Sequence, residues 1–405
     1  MRKLPATTVY MALTAASTLF SYSVFAVSAI YRVTVAGLNP LQLVIVGTAL
    51  KTTIFLCEIP TGVLADVYSR RLSIIVGTIL IGAGLMLEGM EPTFLAILLA
   101  QVLWGIGYTF TSGAQQAWIA DEVGEEAAHQ VFLRGAQVSQ VGGIFGTFLG
   151  VGLASYRLGL PIVAGGTLYL GLGLFLALFM PEWGFRSKPE YPVTAWRAMA
   201  QTLYNGVHLV KQQPVLMILL GVGVFHGLAS EGLDRLWEMH FLQNFAFPDL
   251  GRLEPIVWFG LINAIASILS ILGVELVRQR VKADHHLTAA KILFTIDSLL
   301  IISLITFSQA HSFELALAAC WATDLLRAAN EPIYIAWINQ KLDSATRATV
   351  FSMSSQVSAI GQILGGPVIG VIANDLSVRA AIAASGIILV PVLLLYWRTF
   401  RHGWS

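Results

Sequence analysis

The chain has 405 residues, of which 56% are hydrophobic and only 12% charged, with a formal net charge of +1. A soluble domain carries about a quarter charged residues, so a water-soluble globular protein is excluded, and the near-neutral charge gives no support to a nucleic-acid partner. The apolar runs are continuous rather than alternating, which excludes a transmembrane barrel and leaves an all-α polytopic membrane protein.

Runs of apolar residues broken at polar or Pro/Gly clusters predict twelve spans, near 7–31, 40–66, 71–90, 93–120, 129–155, 159–181, 214–243, 254–280, 287–309, 312–340, 346–374 and 377–400. The first is too long for a cleaved signal peptide and stays as a span. Cys57 and Cys320 both fall inside apolar runs and read as packing residues rather than a disulfide.

Arginine and lysine set the orientation. With the N-terminus in the cytoplasm, Arg2, Lys3, Arg70, Arg71, Arg134, Arg186, Lys188, Arg197, Lys211, Arg278, Arg280, Lys282, Lys291, Lys341, Arg347, Arg398 and Arg401 fall inside, and only Arg32, Arg157, Arg252 and Arg379 outside. That bias predicts a multi-pass protein of a bacterial plasma membrane with both termini cytoplasmic. Glu182 to Gln213 is the longest polar segment. Its second part, AWRAMAQTLYNGVHLVKQQ, has Met199, Leu203 and Val207 at helical spacing and reads as a helix on the membrane surface. It divides the chain into an N-terminal six-helix bundle (1–181), a cytoplasmic linker (182–213) and a C-terminal six-helix bundle (214–405).

The two halves repeat. Residues 117–154 align without gaps on 336–373, with about a dozen identities that include AWI, VF and QVS. The matching spans are the fourth and fifth with the tenth and eleventh, as expected for parallel six-helix repeats.

Between the second and third spans lies Thr61 to Thr78, TGVLADVYSRRLSIIVGT, which reads as a tight cytoplasmic turn. Gly62 permits close helix approach, and Asp66 ends a helix where it can accept hydrogen bonds from Arg70 or from a facing helix N-terminus. With these residues in place, the chain resembles the major facilitator superfamily, and within it the drug–proton antiporter branch. The family pattern there is glycine, any, leucine, any, aspartate, arginine, any, glycine, basic, basic. Gly62, Leu64, Asp66, Arg70 and Arg71 match it, while Val67 and Ser69 depart from it. The resemblance implies the major facilitator fold: twelve transmembrane helices in two pseudo-symmetric bundles. It also implies that Gly62, Asp66, Arg70 and Arg71 form a gate that latches the cytoplasmic side shut.

In the fourth span, AQVLWGIGYTF, the family has an arginine four residues before the glycine; here Gln101 precedes Gly105. If protons are coupled, another group must do it. Gly142, Gly146 and Gly150 recur every four residues in the fifth span, and the eleventh carries GQILGGPVIG with Gly365, Gly366 and Pro367, a helix-packing motif.

Ionisable residues inside spans are costly and are therefore candidates for coupling or substrate binding. The second span has Lys51 and Glu58, seven apart on one face and able to neutralise each other. The seventh has Glu231, Asp234 and Arg235, with Glu231 and Arg235 at i, i+4 spacing. Asp297 stands in the ninth with no local partner. In the tenth, Asp324, Arg327, Glu331 and Tyr334 share one stripe, and Arg327 is expected to pair with Asp324 or Glu331. Trp237, Asn263 and other aromatic and polar residues are candidates for a cavity wall. No phosphate loop, HExxH or cysteine–histidine cluster points to an enzyme, a cofactor or a metal.

The expected function is secondary active transport by alternating access: proton-coupled efflux of a small amphipathic or cationic compound, as in multidrug resistance. Uptake or facilitated diffusion of a small metabolite is the alternative. The expected partners are a small-molecule substrate, protons and membrane lipid, with a monomer as the working unit.

Overall fold

The structure is a computed structural model that describes residues 3–187, 214–248, 255–280, 286–339 and 344–402. Among these residues it is all helix: α1 (Ala6–Thr34), α2 (Pro40–Val67), α3 (Arg70–Met90), α4 (Phe94–Thr111), α5 (Ala114–Val123), α6 (Glu125–Ala154), α7 (Leu160–Phe179), α8 (Pro214–Asn244), α9 (Pro255–Arg280), α10 (His286–Gln309), α11 (Phe313–Asn339), α12 (Ser344–Asp375), α13 (Val378–Ile388) and α14 (Val390–His402). Joining α4 to α5 and α13 to α14 leaves the twelve rods that the apolar runs predict. The surface helix expected over 195–213 lies outside the described residues.

Eleven rods are long and apolar enough to cross a bilayer. The twelfth, α11, is 27 residues long, about 40 Å at 1.5 Å per residue. Its apolar run is broken by Glu314, Asp324, Arg327 and Glu331. The chain is a multi-pass membrane protein, and α8 matches α11 in charge with Glu231, Asp234, Arg235 and Glu238.

Two glycines punctuate the fourth rod and its exit. Gly113 at φ 71 separates α4 from α5, and Gly124 at φ 83 separates α5 from α6. Both sit in the left-handed region that a Cβ disfavours. Ser69, which replaces a family glycine, caps α3 by accepting from the Leu72 amide at 2.9 Å.

The chain divides into two compact units, Met1–Leu38 with Ala49–Arg197, and Asn39–Thr48 with Ala198–Ser405. Within the first, α1 packs on α6 and α7, and α3 packs on α4 and α7. Within the second, α8 packs on α12 and α13, while α10 packs on α11, α13 and α14. These are the same pairings, rod for rod.

The glycines show why. A Cβ at Gly142 would meet the Ala15 carbonyl, and one at Gly146 the Leu19 carbonyl. In the second unit Gly361 faces the Val224 carbonyl and Gly365 the Leu228 carbonyl. The internal repeat pairs Gly142 with Gly361 and Gly146 with Gly365, so both units press the same turns of helix together backbone to backbone. Gly150 extends the seam to the Ser23 carbonyl, and Pro367 stands inside α12 beyond Gly365. Gly62 is a correction: a Cβ there would meet nothing within 4 Å, so the close approach expected of it does not occur.

Gly150→Val and Gly365→Val each force a methyl into a facing backbone and are expected to cost about 1–3 kcal/mol. Gly152→Val, where a Cβ meets nothing within 4 Å, serves as the control. Thermal unfolding in detergent checks this: the midpoint falls for the first two and holds for the third.

Candidate functional site

The second unit encloses a cavity of ≈ 260 Å³ between α8, α9 and α11. Asp234 and Trp237 enter it from one face of α8, Asn263 from α9, and Cys320, Asp324 and Arg327 from one stripe of α11. Nη1 of Arg327 donates to Oδ1 of Asp234 at 2.6 Å. This corrects the expectation that Arg327 pairs along its own helix. The guanidinium reaches across to α8, so the bond ties two helices together. Asp324 makes no hydrogen bond among the described residues and stands in the field of Arg327 and Asp234. Trp321, next to Cys320 on α11, points its indole N–H to the Ile262 carbonyl of α9 at 3.1 Å and so sets α9 against α11.

The rest of the α11 stripe separates. Glu331 is exposed and forms no ion pair among the described residues. The Tyr334 hydroxyl donates to the Leu219 carbonyl at 2.9 Å and lies 3.1 Å from the Ser354 hydroxyl, which makes it a fastener between α8, α11 and α12. On α8, Nε of Arg235 donates to Oε2 of Glu231 at 3.4 Å, and the Glu231 side chain is 1% exposed. Glu58 is exposed and Lys51 half-buried. No ion pair joins them, because seven residues along a helix is two full turns and the side chains do not close that gap.

Asp297 has no partner on its own helix, and its contacts come from elsewhere in the second unit. It is fully buried, accepts from Nδ2 of Asn330 at 2.7 Å and from the Tyr396 hydroxyl at 2.9 Å, and lies 3.2 Å from Nε2 of His226, so three other helices meet it. None of these partners is near it in sequence, and so no spacing rule finds them.

In the first unit the missed residue is Glu88, which is also fully buried. Nε of Arg32 donates to Oε1 at 2.8 Å and Nη2 to Oε2 at 3.0 Å, a bidentate fork. The Gln101 amide adds a third bond to Oε2 at 2.9 Å. Gln101 therefore keeps company with an arginine after all, one supplied by the end of α1. The signal that finds Glu88 is the one applied elsewhere: an acid inside an apolar helix.

The turn before α3 gathers charge from four segments. Nη1 of Arg70 donates to the Ala117 carbonyl at 2.8 Å and to the Asp121 carboxylate, while Nη2 donates to Oδ1 of Asp66 at 3.2 Å. The Arg71 amide and the Ser69 hydroxyl hold the two oxygens of Glu182 at 2.8 and 2.7 Å, and Nη2 of Arg71 donates to the Ala177 carbonyl at 2.6 Å. Burial and then the nearby Arg71 push the Lys3 ammonium below its ordinary value. Glu182, Asp121 and Ala177 are the partners that the turn's own sequence does not announce.

No family model matches the chain. It is 24% identical over 370 residues to an uncharacterised MFS-type transporter, YxaM, of Bacillus subtilis strain 168, covering 88% of this chain and 86% of that one. Among solved structures, the nucleoside transporter NupG superposes with a TM-score of 0.71 at 13% identity, covering 99% of this chain and 100% of that one. A bacterial homologue of the human lysosomal transporter Spinster superposes with a TM-score of 0.74 at 15% identity, covering 98% of each chain. A peptide transporter, POT, gives 0.70 at 13%, covering 98% of this chain and 94% of that one. All of these are transporters and not enzymes. The twelve rods and the duplicated seam are thus the fold of these transporters.

Proposed function

We propose that the chain exports a small amphipathic or cationic compound in exchange for protons, by alternating access. The observation that carries this reading is the charge of the cavity. Two carboxylates, Asp234 and Asp324, face one guanidinium, Arg327, beside the indole of Trp237. With Arg327 bonded to Asp234, Asp324 leaves a negative charge that a cation would balance. Trp237 offers the flat apolar face on which a cation or an aromatic ring rests.

The arginine and lysine bias supports placing both termini, and the Arg70 turn with them, in the cytoplasm of a bacterial plasma membrane. On that orientation the Asp66, Arg70 and Asp121 cluster is the latch on the cytoplasmic side. Bilayer lipid surrounds the rods, and the working unit is a monomer of two six-helix bundles joined by the 182–213 linker.

A second reading is uptake or facilitated diffusion of a polar metabolite. It draws support from the nucleoside and peptide transporters among the structures of similar fold, and from Asn263, whose amide suits a neutral hydroxyl or carbonyl.

Tetraphenylphosphonium in proteoliposomes separates the two. An acid interior is expected to drive its accumulation, and Asp324→Asn to abolish that. Accumulation of uridine with no response to the gradient would instead select the second reading. Trp237→Ala is expected to weaken tetraphenylphosphonium binding about tenfold, the scale of one desolvated cation–π contact. Asp66→Asn is expected to lower flux severalfold at unchanged membrane abundance; equal flux removes the latch assignment.

A further inference from the structure

We propose that His226 and Asp297 form the proton-carrying site of this transporter, a dyad in the second unit separate from the Asp234–Asp324–Arg327 cavity. The inference rests on the proton-exchange reading above and names the group that carries the proton.

The geometry supports both states that a cycling proton requires. Asp297 on α10 is fully buried, and its three contacts come from α8, α11 and α14. Asn330 and Tyr396 are neutral donors. They hold the carboxylate but do not balance its charge. The third contact, His226, is an imidazole, the side-chain type that can carry either no charge or a positive one. With one proton on the dyad, imidazolium and carboxylate sum to zero, which a low-dielectric interior favours. When that proton leaves, its N–H bond breaks to solvent water and the electron pair stays on the imidazole nitrogen. The Asp297 anion then still has the Asn330 amide, the Tyr396 hydroxyl and a neutral imidazole N–H around it.

Access differs across the dyad. The His226 side chain is 27% exposed and that of Asp297 0%, so the imidazole is the member of the dyad that a proton donor or acceptor outside the pair reaches. Glu88, another buried carboxylate, lacks this property, because the guanidinium of Arg32 forks onto both of its oxygens.

The surrounding groups do not compete for the role. On α10 itself Lys291 is exposed. From α13, Arg379 is bonded through Nε to Oδ1 of Asn244 at 3.0 Å. From α11, Tyr334 is committed to Leu219 and Ser354. On α8, Glu231 is bonded to Arg235. The dyad is also linked to the cavity by the same two helices. Asn330 lies three residues beyond Arg327 on α11, and His226 lies eight before Asp234 on α8, about 12 Å along the helix. A substrate that shifts α8 against α11 thus changes the donors around Asp297.

The test reads protonation directly. Infrared difference spectra of the protein in lipid nanodiscs, taken between about pH 5 and 8, are expected to show linked imidazole and carboxyl bands. Both sets disappear in His226→Gln and in Asp297→Asn. Tyr396→Phe keeps both titrating groups, removes one donor and displaces the midpoint of the bands; it decides the case if Asp297→Asn does not fold. Bands that are absent from the wild type, or unchanged in His226→Gln, overturn the site. Tetraphenylphosphonium transport separates this from the antiport reading. In His226→Gln, gradient-driven accumulation is lost while gradient-free counterflow persists. Dyad bands in a wild type that ignores the gradient overturn the antiport reading and leave the proton site standing. Gradient-driven accumulation that survives in His226→Gln overturns the site and leaves antiport standing.

Discussion

A carboxylate carried into a bilayer-spanning helix is tolerable only when donors inside the protein replace its water, and the alternative costs several kcal/mol. Glu88 and Asp297 meet that constraint in different ways. Glu88 takes a guanidinium in fork geometry and one amide, so a cation faces its charge directly. Asp297 takes two neutral donors and one imidazole, with no guanidinium or ammonium among these contacts. The first arrangement pins α1, α3 and α4 together. The second pins α8, α10, α11 and α14 through groups that carry no fixed charge.

Close packing makes such exact placement of donors achievable. Where Gly142 and Gly146 press on α1, and Gly361 and Gly365 on α8, the helices touch without intervening side chains. That removes rotamer freedom from the seam and fixes the azimuth of each helix, which in turn fixes where the polar side chains of α1 and α8 point. His226 sits within the α8 segment bounded by Val224 and Leu228, the two residues that Gly361 and Gly365 contact. The duplicated packing device therefore holds one half of the proposed proton site.

Charge at the Arg70 turn follows a different logic. Asp66 and Asp121 are partly exposed, at 39% and 30% of their side chains, so solvent screens their bonds to Arg70. Such a cluster holds by number and geometry rather than by depth, and it opens at modest cost. The Glu88 and Asp297 carboxylates, by contrast, are fully buried and lie out of reach of solvent screening.

The sequence by itself determined the class, the twelve rods, the duplicated seam and the helices that bear charge, because all of these are read from runs and spacings within one segment. Apolar length selects a span, four-residue glycine intervals select a touching face, and the offset between the two halves predicts which glycines correspond. It also placed Arg235 within reach of Glu231, since i, i+4 neighbours are set by the helix itself. What it did not decide is which charges meet across helices. Spacing along α11 offered Arg327 two acids, and the fold gave it a third on α8. Asp297 looked solitary because its donors lie more than thirty positions away in either direction. Cross-helix partners depend on the rotation and depth of each rod, and those are fixed only when every rod has packed against its neighbours.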